Sequence, residues 1–298
     1  MNLIKPKQLN NGDKIAIIAP SGPVDIEKIH IAKKYFEEKG FVVELGKNIN
    51  NKQDYLAGND CDRLKDLHNA FLDKEIKAII CARGGYGALR LIDKIDYQII
   101  KNNPKIFCGY SDITILNALF LKEANLITFS GPMAQSDFGD NIDQFTEKSF
   151  FKILTSNSYE IEPINPTIYK NDNAEGTLIG GNLATITSLC GREFIPNCDF
   201  IFFAEDLNEP VYKIDRYFTQ LLSIKEFKSK IKAIILGEFL DIDNKEYFDK
   251  FFRNLAKELN IPIISGYPIS HSKIKATLPY GCSCKLENTT LKLSNYLS

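Results

Sequence analysis

The chain has 298 residues, of which 44% are hydrophobic and 25% charged. These are ordinary globular values and exclude a disordered, collagen-like or coiled-coil chain. Lys plus Arg number 37 and Asp plus Glu 38, for a net charge of -1. The bulk positive field of a nucleic-acid binder is absent, so no nucleic-acid partner is expected. At roughly 150 residues per domain, the length fits two domains or one large one.

The N-terminal stretch MNLIKPKQLNNGDKIAIIAP holds one short apolar run, preceded by Pro, Asn, Gly and Asp. That pattern predicts a first strand rather than a signal peptide. No apolar run is long enough to predict a membrane helix. The expectation is a soluble, cytoplasmic protein with no membrane partner.

KIAIIAP (14–20) is a β-branched strand pattern, and 26–39 reads as a helix with Ile29, Ile31, Ala32, Tyr35 and Phe36 at mixed 3–4 spacing. FVVELG (41–46) is a strand, 62–71 a helix, and EIKAIICARGG (75–85) a strand ending in glycines. A helix is expected at 88–95, a strand at 105–110, a helix at 112–124 and a strand at 126–131. Strand–helix alternation of this kind predicts a parallel sheet covered by helices on both faces. The pattern weakens over 134–175, with a helix at 143–155 and two prolines after it, which reads as a crossing into a second domain.

The second half offers EGTLIGG, a helix opening at Asn182, strands at 199–206 and 232–239, and helices at 210–223 and 244–259. IPIISGY, CSCKLE and TLKLS follow. The expected fold class is therefore α/β. A Rossmann-like parallel-sheet domain (1–160) precedes a β-rich, mixed α/β, barrel-like domain (161–298).

Seven cysteines form no C-x-x-C pair, and Cys81 and Cys108 sit in apolar runs, so buried reduced thiols are expected. The C-x-C at Cys282 and Cys284 alternates like a strand. No HExxH motif or His/Asp cluster is present, and neither metal nor cofactor is expected.

In open parallel sheets, ligands bind beyond the carboxyl ends of the strands. Three such ends stand out: Ser21-Gly22, Arg83-Gly84-Gly85-Tyr86-Gly87 and Gly109-Tyr110-Ser111-Asp112. In the third, a serine lies at a sharp strand-to-helix turn, where free N–H groups and the helix dipole favour developing negative charge. Read alone, Ser111 or Asp112 serves equally as a helix cap. The glycine loop fails the G-x-G-x-x-G fingerprint and has no Walker lysine. It is either a tight turn with a surface arginine or an oxyanion donor beside an arginine suited to a carboxylate.

A serine nucleophile needs a base, and the base an orienting acid. His30 and His68 fall inside helices among charged neighbours and read as solvated surface; His271 follows a strand. Glu205 ends the apolar run DFIFFA, where a carboxylate needs a partner, and Asp206 beside it reads as a capping or structural group. Ser111, Glu205, His271 is the serine, acid, histidine order of the α/β-hydrolases.

Five blocks, in order, resemble the LD-carboxypeptidase family, serine peptidases that include muramoyltetrapeptide carboxypeptidase: ICARGGYGALRLID, FCGYSDITILNALF, GTLIGGNLATITSLCG, FFAEDLNEPVYKIDRYFTQLL and GYPISHSKIKATLPYG. The resemblance covers nearly the whole chain. It implies a Rossmann-like N-terminal domain, a β-rich C-terminal domain and a Ser111–His271–Glu205 triad in the cleft between them. It also implies removal of the terminal D-alanine from L-Ala-γ-D-Glu-diaminopimelate-D-Ala in murein recycling, by a cytoplasmic homodimer.

On that basis the backbone N–H groups of Gly85 and Asp112 are expected to form the oxyanion hole. Arg83, Asn182 and Arg216 are expected to contact substrate carboxylates, although Arg216 equally suits a pairing with Asp206 or Asp215, and Asn182 a helix cap. The chain departs from the family pattern at Ser130 and Ser270, both expected near the cleft. Some relatives instead hydrolyse peptidyl or aminoacyl nucleotides of the microcin C type, a reading that a nucleobase-stacking aromatic beside Ser111 would favour. A non-catalytic ligand- or NAD-binding protein is disfavoured by the failed fingerprint. The triad straddles both halves, so it requires one fixed packing of the two.

Overall fold

A computed structural model describes residues 3–298. Its chain order begins β1 (Lys14–Ile18), α1 (Ile26–Glu38), β2 (Val42–Leu45), α2 (Asp60–Leu72), β3 (Ile76–Cys81), α3 (Tyr97–Asn102) and β4 (Ile106–Cys108). It continues with α4 (Thr114–Ala124), β5 (Thr128–Ser130), a π-helical turn at Ala134–Phe138, α5 (Gln144–Thr155), β6 (Ser158–Ile161), β7 (Ile168–Lys170) and β8 (Ala174–Asn182). Then come α6 (Leu183–Thr187), β9 (Phe200–Leu207), α7 (Val211–Ser223), α8 (Lys225–Lys230), β10 (Ile231–Leu240) and α9 (Lys245–Leu259). The last elements are β11 (Ile263–Ser265), β12 (Leu278–Tyr280), β13 (Ser283–Glu287) and β14 (Thr290–Ser294).

The first sheet has the order β12-β5-β4-β3-β1-β2. Its strands are parallel except β12, which returns from the far end of the chain to pair antiparallel with β5. The second sheet has eight strands in the order β6-β14-β13-β8-β9-β10-β11-β7. β8, β9, β10 and β11 run parallel, and β6, β7, β13 and β14 are antiparallel to their neighbours. The fold is thus α/β with two mixed sheets, and no helix among the described residues is long and apolar enough to cross a membrane.

Local chemistry explains where the helices start. Asp25, Asn59, Asp96, Asp143 and Asn244 each accept a hydrogen bond from a first-turn N–H of the helix they precede. The helix expected at 88–95 is instead one 3-10 turn, Ala88–Arg90, and the α-helix begins only after the Asp96 cap. The Ala88 N–H is taken by a carboxylate from another element, and Gly87 enters the turn at φ 142°. Helix α8 gave no signal of its own because it continues almost directly from α7.

Helix α4 is buried over every residue from Thr114 to Leu121. A helix that is apolar all round belongs in an interior, and α4 packs against α3, β5, β12, β8 and α6. Helices α1 and α5 and the π-helical turn share an aromatic cluster, with the Phe36 ring 4.6 Å from Phe138 and 6.2 Å from Phe150. Phe36 is fully buried there. Phe36→Ala is expected to cost about 3–5 kcal/mol, read as a lowered urea midpoint at unchanged slope. A cost under about 1 kcal/mol would contradict the packing described.

Candidate active site

β4 runs into Gly109-Tyr110-Ser111, and Ser111 has φ 62°. This left-handed conformation costs a side-chain-bearing residue roughly 1–2 kcal/mol. It makes the turn sharp enough to lift the serine out of the sheet, at the first residue of the 3-10 turn Ser111–Ile113 that leads into α4. Space for the serine comes from Gly84: a Cβ there would stand 2.8 Å from Ser111 Cβ and 2.9 Å from its Oγ.

The Asp112 carboxylate ties three strand ends together. Its Oδ2 accepts from Ser21 Oγ (2.7 Å) after β1 and from the Ala88 N–H (2.8 Å) after the glycine loop. Burial raises its pKa, and these hydrogen bonds act against that rise. Arg63 of α2 supports the same loops from below. Its fully buried guanidinium donates to the Pro20 carbonyl, to the Gly87 carbonyl (2.9 Å) and to Asp60 (2.6 Å).

The second sheet supplies the other groups. Glu205 lies two residues before the end of β9, in register with Asn182, the last residue of β8. The Asn182 N–H donates to Thr114 Oγ1 (3.2 Å), three residues beyond Ser111, which fixes the β8–β9 ends against the serine turn. Glu205 Oε2 lies 2.6 Å from His271 Nδ1, and both side chains are largely buried. The imidazole in turn packs edge-on against the Tyr110 ring at 5.0 Å, and Tyr110 is the residue before Ser111.

The loop carrying His271 is held at several points. Ser270 Oγ donates to Glu238 and accepts from the Ser272 N–H (2.8 Å). The Lys275 and Thr277 N–H groups donate to Thr146 (2.9 Å) and Ser149 (3.0 Å) of α5. Lys275 Nζ forms a buried ion pair with Asp137 and also donates to Tyr110 Oη at 3.1 Å. Sequence reading missed Arg63, Asp137 and Lys275. Nothing local sets them apart, since each sits among polar and charged residues (DCDRLKDL, AQSDFGD, SHSKIKAT).

The remaining expected residues are placed as follows. Arg83 is half-buried, donates weakly to the Pro23 carbonyl (3.3 Å), and has no carboxylate within 4 Å among the described residues. Gly85 is exposed beside it, and its N–H has no acceptor among the described residues. Asn182 caps α6 through Thr185 and donates to Asp206 Oδ1 (2.8 Å), so its side chain is engaged within the protein. Arg216 is exposed on α7, with its guanidinium over the Tyr212 ring at 5.4 Å, and pairs with neither Asp206 nor Asp215. Ser130 is buried in the β5–β12 pairing. His68 differs from expectation: it is half-buried, and its Nε2 accepts from the Asp96 N–H at 3.1 Å. The cysteines are free thiols, with Cys81, Cys108, Cys282 and Cys284 buried.

Asp206 is the structural carboxylate beside Glu205. It accepts from the Ala184 (2.8 Å) and Leu207 (2.9 Å) N–H groups as well as from Asn182, yet burial dominates and pushes it up to about 6. Because this lies above the unfolded aspartate value of about 3.9, its contribution to stability is full below about pH 4 and is lost as pH rises through about 6. A carboxyl-carbon NMR titration is expected to find Asp206 near 6. A midpoint near 4 would contradict the burial argument.

Family models for the LD-carboxypeptidase N-terminal domain and C-terminal domain match residues 15–131 and 175–286. The "probable murein peptide carboxypeptidase" of Bacillus subtilis is 42% identical, covering 97% of this chain and 92% of its own. The microcin C7 self-immunity protein MccF of Escherichia coli is 30% identical, covering 96% of this chain and 95% of its own. That alignment runs over 328 positions against a chain of 298, so the relative carries segments with no counterpart here. A crystal structure of muramoyltetrapeptide carboxypeptidase from Oxalobacter formigenes superposes with a TM-score of 0.88 at 30% identity, over 96% of this chain and 100% of that one. The chain, which the serine turn, the carboxylate–imidazole pair and these likenesses all describe, belongs to the LD-carboxypeptidase family of serine peptidases.

Proposed function

We propose that this protein is a serine LD-carboxypeptidase that removes the terminal D-alanine from murein tetrapeptides of the type L-Ala-γ-D-Glu-diaminopimelate-D-Ala. The observation that carries the reading is the 2.6 Å Glu205–His271 hydrogen bond, with the imidazole packed on Tyr110, the residue before a serine in a left-handed strand-to-helix turn. Similarity to proteins named as murein peptide and muramoyltetrapeptide carboxypeptidases supports the substrate class.

In this reading Ser111 Oγ attacks the scissile carbonyl while His271 Nε2 takes the hydroxyl proton. Glu205, bonded to Nδ1, keeps Nε2 free as the acceptor and stabilises the imidazolium that forms. The C–N bond breaks as His271 passes the proton to the departing amine of D-alanine. Water then attacks the acyl-enzyme, gives its proton to His271, and releases the shortened peptide and the serine. The Asp112 N–H at the start of the helical turn and the Gly85 N–H stabilise the oxyanion, a role worth about 3–4 kcal/mol per donor.

Arg83, a half-buried cation with no carboxylate partner, takes the free terminal carboxylate that a carboxypeptidase must recognise. Asn182, through Asp206 and Thr185, holds the strand ends around Glu205, and Arg216 is left to the outer rim. A cytoplasmic setting and a homodimer go with the reading.

Ser111→Ala is expected to abolish D-alanine release from the tetrapeptide. Glu205→Gln, which presents the imidazole in the wrong tautomer, is expected to lower kcat by about 10³–10⁴-fold. Residual wild-type-like turnover by Ser111→Ala would overturn the assignment. The likeness to the self-immunity protein favours a second reading, hydrolysis of peptidyl or aminoacyl nucleotides. Turnover of an aminoacyl sulfamoyl adenosine with no release of D-alanine would put that reading first.

A further inference from the structure

Beyond Gly84, an open cleft is lined by Gly22, Pro23, Tyr55, Arg83, Gly85 and Tyr86. It lies one residue from the serine. Gly84 separates the two, with room for no more than a hydrogen between its Cα and Ser111 Oγ, and the Gly22 N–H donates to the Gly84 carbonyl at 3.1 Å. Two features of this cleft are unused by the mechanism so far. Tyr55 is 64% exposed and Tyr86 44% exposed, and their ring centroids are 5.8 Å apart. Aromatic surface held in water beside a reaction centre marks a binding surface.

Neither ring sits on a loose segment. Tyr55 lies in a tight turn closed by paired backbone bonds between Gln53 and Leu56 (2.9 Å each), and the Ala57 N–H donates to the Ser21 carbonyl at 2.9 Å. The Ser21 hydroxyl is in turn bonded to Asp112, so the turn bearing Tyr55 is tied to the floor of the active site. Tyr86 lies between Gly85 and Gly87, the second of which Arg63 holds by its carbonyl.

The direction of the cleft follows from its charge. Among the described residues Arg83 is the one cation lining it, and in a carboxypeptidase substrate the terminal carboxylate belongs to the residue just beyond the scissile bond. The side chain of the departing residue then points along the cleft wall. A methyl group fills little of that space and leaves both phenol rings in water.

We propose that Tyr55 and Tyr86 form the receiving surface for the side chain of the leaving D-amino acid, so that the enzyme releases bulky apolar and aromatic D-residues as well as D-alanine. The inference rests on the carboxypeptidase reading and adds the class of terminal residue to it. The ring geometry favours a side chain over a nucleobase. The two planes are tilted by 57° with centroids 5.8 Å apart, forming a V-shaped wall for one ring or aliphatic chain rather than a parallel slot.

The test compares wild type, Tyr55→Ala and Tyr86→Ala on murein tetrapeptides ending in D-alanine or D-phenylalanine, with aspartyl sulfamoyl adenosine as a third substrate. Wild type is expected to cleave the D-phenylalanine peptide with kcat/KM within about tenfold of the D-alanine peptide. Each Tyr→Ala variant is expected to lose at least about tenfold on D-phenylalanine and less than about threefold on D-alanine, which doubles as the control for folding. Cleavage of D-alanine with no detectable D-phenylalanine release overturns the inference and leaves the carboxypeptidase reading standing. Equal losses on both peptides, or no loss on either, removes the tyrosines from the leaving-residue site. Preferential turnover of the nucleotide, lost in the tyrosine variants, assigns the rings to a base instead. Failure of wild type on both peptides removes the carboxypeptidase reading and this inference with it.

Discussion

The buried Lys275–Asp137 ion pair is the joint on which the rest of the site depends. Lys275 comes from the loop after β11 and Asp137 from the π-helical turn after β5, so the pair fastens the last quarter of the chain to the first sheet. Both side chains are almost wholly buried, and removing either would leave the other charge without compensation, at a cost of about 3–5 kcal/mol. Lys275 Nζ also sits over the Tyr110 ring at 4.4 Å and donates to its hydroxyl. One ammonium group therefore fixes both the histidine loop and the residue that precedes Ser111.

From that joint the geometry follows in a chain of short contacts. Tyr110 is pinned, so its neighbour Ser111 is held in a conformation that an unsupported turn would relax. The Asp112 carboxylate and the Arg63 guanidinium hold the glycine loop at the distance where Gly84 just clears the serine. On the other side Thr114 grips the β8 end beside Glu205. Strain at one backbone position is sustained because buried charges and hydrogen bonds on all sides over-determine it.

Much of this was legible in the residues. Short β-branched runs separated by helical periodicity gave the parallel core of both sheets, and the strand ends drew attention to Ser111, Glu205 and the glycine loop. A histidine count of three left His271 as the strand-end base candidate, and the structure sets it against Glu205. What could not be read was whatever depends on tertiary partners. The 88–95 segment reads as a helix, but Asp112 captures the Ala88 N–H and the segment follows the site rather than its own propensity. His68 sits among charged residues in sequence, yet its ring turns inward to receive a backbone N–H from Asp96. Asn182 and Arg216 looked alike as carboxylate binders, and only their neighbours separate a locked cap from a surface cation stacked on Tyr212.

Strand β12 gives the molecule a particular folding problem. Ser130 pairs with Leu278, so one edge of the first sheet waits for a strand that lies 148 positions further along the chain. Until it arrives, β5 presents unpaired N–H and C=O groups, the kind of edge on which chains associate wrongly. Closing so long a loop before any contact rewards it slows folding. The first sheet and the histidine loop are therefore completed in the same late event, since β12 begins only three residues after Lys275. A chain cut short before residue 278 would lack both a closed sheet edge and part of the support for its histidine loop, so the intermediate most exposed to aggregation is also one with an unfinished site.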